Sequence, residues 1–231
     1  MSERPSLLEQ LRGLIERTYG IDTGLQNLGR FVVGNAGYRR FYAGREALTA
    51  VNSLPENART MVRETPGAVR ACIYYPDELI QTLERHPPQG GLSERNVDAF
   101  ATLVEELDHL LLLVWRERQR RPVSLFELEL QANVTKHLVL SRYLAAGRDR
   151  LDDAERAWLR HHLFDKHEFE DDVPEIAERY REAARQGIRF LQRLPAEPRR
   201  RLAALRRFHD VDVGGKLELI KALRHTLHGA E

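Results

Sequence analysis

The stretch from Leu103 to Trp115, LVEELDHLLLLVW, restricts the possible folds more than any other part of the chain. At about 100° per residue, Phe100, Leu103, Val104, Leu107, Leu110, Leu111 and Val114 form one face of a helix, while Glu105 and His109 share the opposite one. Ala101 and Leu112 lie on the Glu105 side, so the later turns are apolar nearly all round. A helix of this kind is covered on more than one face, which puts Glu105 and His109 in a cleft rather than on an open surface. Its longest unbroken apolar run, LLLLVW, falls far short of the roughly 20 residues that a membrane-spanning helix needs. Burial within protein, without a membrane, is therefore the expectation.

The rest of the chain supplies the covering elements. Leu7, Leu8, Leu11, Leu14 and Ile15 recur at helical spacing before Gly20, so the chain opens with an amphipathic helix. GRFVVGNAGYRRFYAG reads as two short strands around a GNAG hairpin, and ARTMVRE, TPG and AVRACIYYP read as a second strand pair. After Pro76 the pattern is helical. DELIQTLER is short, HPPQGG breaks it, and a long helix follows with Ser93 as its N-cap. RRPV ends that helix, SLFELELQANVTKHLVLSRYLAA forms the next with Ser124 as cap, and GRDR closes it. About four more helices follow, punctuated by DDVP, LPAEP and DVGG. The expected class is α+β: a small, mainly antiparallel sheet between about residues 30 and 75, packed on helices, then an all-helical C-terminal lobe. The expected division is 1–147 for the core and 148–231 for the lobe.

Two facing helices hold the candidate chemistry. In the second, Glu129, Asn133 and Lys136 project to one side at i, i+4 and i+7, with Ala132 beside them and Glu127 pointing nearly the opposite way. Antiparallel packing across the short RRPV turn brings Glu129 towards Glu105 and His109. A strand ending ACIYYP, then NVDAFATLVEELDHLLLL, then ELQANVTKHLVL resembles the minimal zinc-peptidase core of the ImmA/IrrE family. That resemblance covers about residues 1 to 145 and implies a zincin-like fold, with H-E-x-x-H on one helix and a Glu ligand on the next. It puts Glu106 at the general-base position, His109 at the second histidine and Glu129 at the third ligand. Glu105 stands where the family has its first histidine.

This substitution divides the functional reading. Glu105, His109 and Glu129 can hold a divalent ion, with manganese or ferrous iron competing with zinc, but a second anionic ligand makes bound water harder to ionise. One reading is an active metal-dependent peptidase with Glu106 as base. The other, favoured slightly, is a catalytically weakened or inactive homologue that works by binding a protein or peptide. There Lys136 supplies the cation that the clustered carboxylates need and no metal is bound. Asp108, Asn133 and Lys136 are the expected cleft or counter-charge residues. The plain alternative is an ordinary polar stripe. Glu106 and His109 also form the E-x-x-H pair of carboxylate bundles, but the further pairs such a bundle requires are missing from the sequence.

Composition narrows the partners. Lys and Arg together number 36 against 35 for Asp and Glu, a balance that gives no reason to expect nucleic acid. Cys72 is the single cysteine, which rules out an internal disulfide framework and fits a cytoplasmic protein; it reads as an inert strand thiol. The first 20 residues mix charges of both signs, unlike a signal peptide. His161, His162 and His167 read as boundary residues, since adjacent histidines on a helix diverge. RERQRR and PRRRLAALRRFH read as solvated or internally paired arginines, and DVGGKLELIK as a turn into the last helix rather than a phosphate loop.

Overall fold

A computed structural model describes residues 5–43, 57–65, 68–166 and 174–225. The turn at 66–67, the break at 171–173, and His167 lie outside the described residues. Helix α1, Leu7–Tyr19, forms as its periodicity predicts. The Ser6 hydroxyl accepts from the Glu9 N–H, Gly20 ends the helix in a left-handed conformation, and Leu11, Ile15 and Tyr19 are buried at successive turns. The sheet comprises β1 (Val32–Val33), β2 (Arg59–Thr65) and β3 (Ala68–Tyr74) in the order β1-β3-β2. It is mixed: β2 and β3 pair antiparallel along their length, from Arg59 opposite Tyr74 to Thr65 opposite Ala68, whereas β1 runs parallel to β3.

The expected GNAG hairpin does not form. Asn35–Ala43 is helix α2, closed at its start by the Tyr38 N–H donating to the Gly34 carbonyl at 2.9 Å. Tertiary packing overrides the turn propensity, because Tyr38 packs tilted against Tyr74, with ring centroids 4.6 Å apart, and joins Met61 in a small core under α2. The Asp77 carboxylate accepts from the Asn35 N–H at 2.9 Å and lies against Gly34, where it leaves no room for a Cβ. Cys72, half-buried beside this small core, has its thiol pKa raised by burial.

The opposite sheet face meets the long helix. After α3 (Asp77–Arg85) come α4 (Val97–Arg118) and α5 (Leu125–Ala145), an antiparallel pair joined by residues 119–124. Ser93 does not cap α4. Asn96 takes that position and exchanges bonds with Ser93, so the preceding residues form a separate turn. Ser124 caps α5 as expected, accepting from the Glu127 N–H at 3.1 Å. Four helices complete the described chain: α6 (Asp153–Arg160), running into a π-helical turn at His161–Asp165, then α7 (Pro174–Gln192), α8 (Pro198–Asp210) and α9 (Val213–His225). Helix α7 packs along α5 and α8 along α1, so one apolar cluster runs from Leu11 through Leu107 and Leu130 to Ile220. No described helix is long and apolar enough to cross a membrane.

A buried polar joint fixes the α4–α5 hairpin to the last two helices. Arg116 donates to Glu127 Oε1 at 2.6 Å and to the carbonyls of His209, Asp210 and Val211, which capture the C-terminal end of α8. Lys216, fully buried, donates at 2.7 Å to both Gln131 and the Phe208 carbonyl and sits 4.5 Å from the Phe208 ring centroid. Glu127 does point away from Glu129, and this joint is its destination.

Candidate functional site

The α4–α5 pair brings together three residues from separate turns. One ligand-type atom from each of Glu105, His109 and Glu129 lies within 4.8 Å of the other two. His109 Nε2 stands 3.6 Å from Glu129 Oε1. Lys136 Nζ donates to Glu105 Oε2 at 2.5 Å across the helix pair, with its side chain only 12% exposed. Glu106 is buried beside this group and accepts from Thr60 Oγ1 of β2 at 2.7 Å, which ties the site to the sheet.

These residues border a cleft of about 970 Å³ between the sheet face of Thr60, Val62, Val69 and Ala71 and the later turns of α4. Leu110, Val114 and Leu125 are among its apolar lining, Tyr180 of α7 lines it together with Glu105, Glu106, His109 and Glu129, and Arg59, Arg116, Arg118 and Arg121 line it as well. The cleft that the all-round apolar helix predicts is thus present, and most of it is apolar.

Burial sets the electrostatics. It raises the Glu129 pKa to about 8, with the Glu105 charge adding to the rise and Lys136 opposing it. Glu106 is raised to about 7, again by burial and then Glu105. Burial also lowers the His109 pKa to about 4, so its imidazole is neutral near pH 7 and has a lone pair to offer. Two carboxylates and a neutral imidazole are a suitable donor set for a divalent ion. Two features oppose that fit: Glu105 already holds Lys136, and among the described residues His109 Nδ1 has no acceptor of the kind that usually orients a metal-bound imidazole.

The remaining expected site residues divide. Lys136 is the counter-charge that the spacing predicts. Asp108 does not line the cleft; it is buried on another side of α4, accepting from Thr135 Oγ1 at 2.8 Å, and Thr135 in turn bonds Tyr19. Asn133 donates to the Glu129 carbonyl within α5 and packs where α7 approaches closely at Gly187. Tyr180 and Thr60 escaped the sequence reading. Gly187 within a helical pattern is the one signal for a close α5–α7 approach, and it does not single out Tyr180.

The remaining histidines and arginines have structural roles or lie on the surface, Arg118 and Arg121 at the cleft's border. His162 is buried between Glu94 and Asp98, 3.0 and 3.5 Å from its two ring nitrogens, and holds the π-helical turn against α4, whereas His161 is exposed. Arg118 and Arg121 donate to the carbonyls of Asp22 and Asp210, and the α8 arginines are exposed. No protein-family model matches the chain, and no curated protein or solved structure shows significant similarity to it.

Proposed function

We propose that the chain is a diverged zincin-like protein that binds a protein segment in its cleft and whose peptidase step is disabled. The contact between Lys136 Nζ and Glu105 Oε2 at 2.5 Å is the observation that carries this reading. A metal at Glu105 would have to displace a part-buried ammonium, and the resulting second carboxylate ligand would leave bound water less acidic. With Lys136 in place, Glu105 has a counter-charge without an ion. The apolar walls beside it offer a partner contact surface without requiring a reaction.

A second reading, a metal-dependent peptidase, draws on the convergence of Glu105, His109 and Glu129 and on the position of Glu106. A resident divalent ion would supply Lewis acidity and an ionisable water. Glu106, with its pKa near 7, suits the role of proton acceptor.

The deciding experiment is metal analysis of tag-free protein, with His109→Ala and Glu129→Ala as controls. The binding-protein reading expects well under one equivalent of zinc, manganese or iron in the parent and no hydrolysis of a denatured protein substrate. One equivalent that both substitutions remove, together with hydrolysis lost in Glu106→Gln, establishes the peptidase reading instead.

A further inference from the structure

Two basic stretches, RERQRR and PRRRLAALRRFH, lie far apart in the sequence and meet in the fold. Arg121 of the first donates to the Asp210 carbonyl at the end of α8 at 3.0 Å. Arg206 of the second lies over Gly20 at the end of α1, 3.5 Å from the Arg17 carbonyl. At about 100° per residue, Leu205, Phe208 and His209 point α8 inwards, and Arg199, Arg200, Arg206 and Arg207 share an arc of about 120° on the other side. All four are exposed. Ala203 lies between the two pairs, which seven residues of helix set about 10 Å apart.

For the protein alone this arrangement is unfavourable. Arg199 and Arg200 put cations in the first turn of α8, where the helix macrodipole disfavours them, and no acidic residue shares that turn. The Glu197 carboxylate at the cap is taken up by their backbone N–H groups. Neither they nor Arg207 have an ion-pair partner among the described residues. Carboxylates close by are engaged elsewhere: Glu16 holds Arg12 and Thr23, Asp22 accepts from the Gly24 N–H, and Asp210 lies 4.0 Å from Arg121. Glu117, the acidic member of RERQRR, borders the cleft. The near-even balance of the whole chain, 36 basic against 35 acidic residues, hides this local separation.

We infer that the arginine face of α8, flanked by Arg17 and Arg121, binds the phosphate backbone of duplex nucleic acid. Protein interfaces form around an apolar core, but the arc offers only Ala203, with Leu202 at its edge, 36% exposed. A helix that lies on a membrane needs an apolar stripe free to enter the lipid, and the apolar stripe of α8 is buried. Single strands are held by stacking on aromatic rings, and no aromatic is among the large hydrophobics exposed in the described residues. A duplex needs none of these. It carries about one negative charge per 1.7 Å of its axis, which a convex row of guanidinium forks complements. The inference is independent of what the cleft holds.

The test is fluorescence anisotropy of the full-length protein with a labelled DNA duplex of mixed sequence, about two helical turns long. The parent should bind, with log K falling against log salt at a slope of about −4 to −5. The combined variant R199Q/R200Q/R206Q/R207Q should bind at least about tenfold more weakly at low salt and lose about three units of that slope. A charge-matched control, R148Q/R156Q/R181Q/R185Q, removes arginines held in surface ion pairs elsewhere and should stay within about twofold of the parent. R199Q/R200Q relieves the first turn of α8, so it should melt no lower than the parent while still binding more weakly, which separates lost contacts from lost folding. No binding at low salt, binding unchanged by the four substitutions, or an equal loss in the control overturns the inference. Displacement of the duplex by polyglutamate at equal charge concentration overturns it in favour of an acidic protein partner. Tighter binding of the single strand overturns it in favour of strand recognition.

Discussion

Glu129 ionises against both burial and the nearby charge of Glu105, and this has a measurable consequence for stability. Its folded pKa of about 8 lies above the ordinary 4.5, so the folded protein retains a proton that the unfolded chain releases. The resulting stabilisation is complete below about pH 4.5 and is lost as the pH rises through about 8. His109 acts in the other sense: its lowered pKa makes stability rise between about pH 4 and 6.5, after which its effect is flat. Glu129→Gln, compared with the parent in chelator by urea denaturation, should therefore gain roughly 2–4 kcal/mol in relative stability between pH 5 and pH 8.5. A pH-independent difference would mean that Glu129 is ionised throughout and that the surrounding cations satisfy it. At this scale much of the site was legible in the sequence. Helical spacing is enough to place Glu105 with His109 and Glu129 with Lys136. Asp108 was misassigned because one residue of helical advance, about 100°, carried it out of the cleft and towards Thr135. Tyr180 was not legible, since it reaches the cleft only through the packing of α7 on α5.

Among the elements, α4 and α5 form a rigid pair because their polar joint closes on α8. Arg116 and Glu127 are each at most 2% exposed, and Arg116 also holds three carbonyls at the end of α8. Arg116→Met should destabilise the fold by about 3–5 kcal/mol, because it leaves buried Glu127 with Lys216, 3.8 Å away, in place of its hydrogen-bonded partner. Adding Glu127→Leu should recover part of this loss, but not all, because the α8 carbonyls still lack their donor. A cost within about 1 kcal/mol in the single variant, measured by urea denaturation, would mean that water or Lys216 takes over the role. The long helices were readable from periodicity and caps, as Ser124 shows. The GNAG segment was misread because Gly and Asn mark a turn equally well whether a strand or a helix follows. What decides for the helix is Tyr38 on Tyr74 and Asp77 against Gly34, neither of them a local signal.

Across the whole molecule, the described helices beyond residue 150 share one apolar cluster with the sheet-backing helix α4, and they also contribute Tyr180 to the cleft lining and the Arg179 charge that acts on Glu129. An α+β composition with a helical second half is visible in the change of pattern at Pro76. How α7 lies against α5 depends on Ala177, Ala183, Ala184 and Gly187 forming a small-residue face, a match of shapes that no single segment declares. Lys136, as the cation paired with Glu105, is the residue on which the proposed loss of metal binding depends. The most direct measurement is calorimetric titration of zinc and manganese into chelator-treated, tag-free parent and Lys136→Met protein. If Lys136 keeps Glu105 from a metal, the parent binds weakly, while the variant takes up one equivalent at least about tenfold more tightly and loses it again on adding His109→Ala. Equally tight, stoichiometric binding by the parent and Lys136→Met would contradict that account and make the cleft a metal centre.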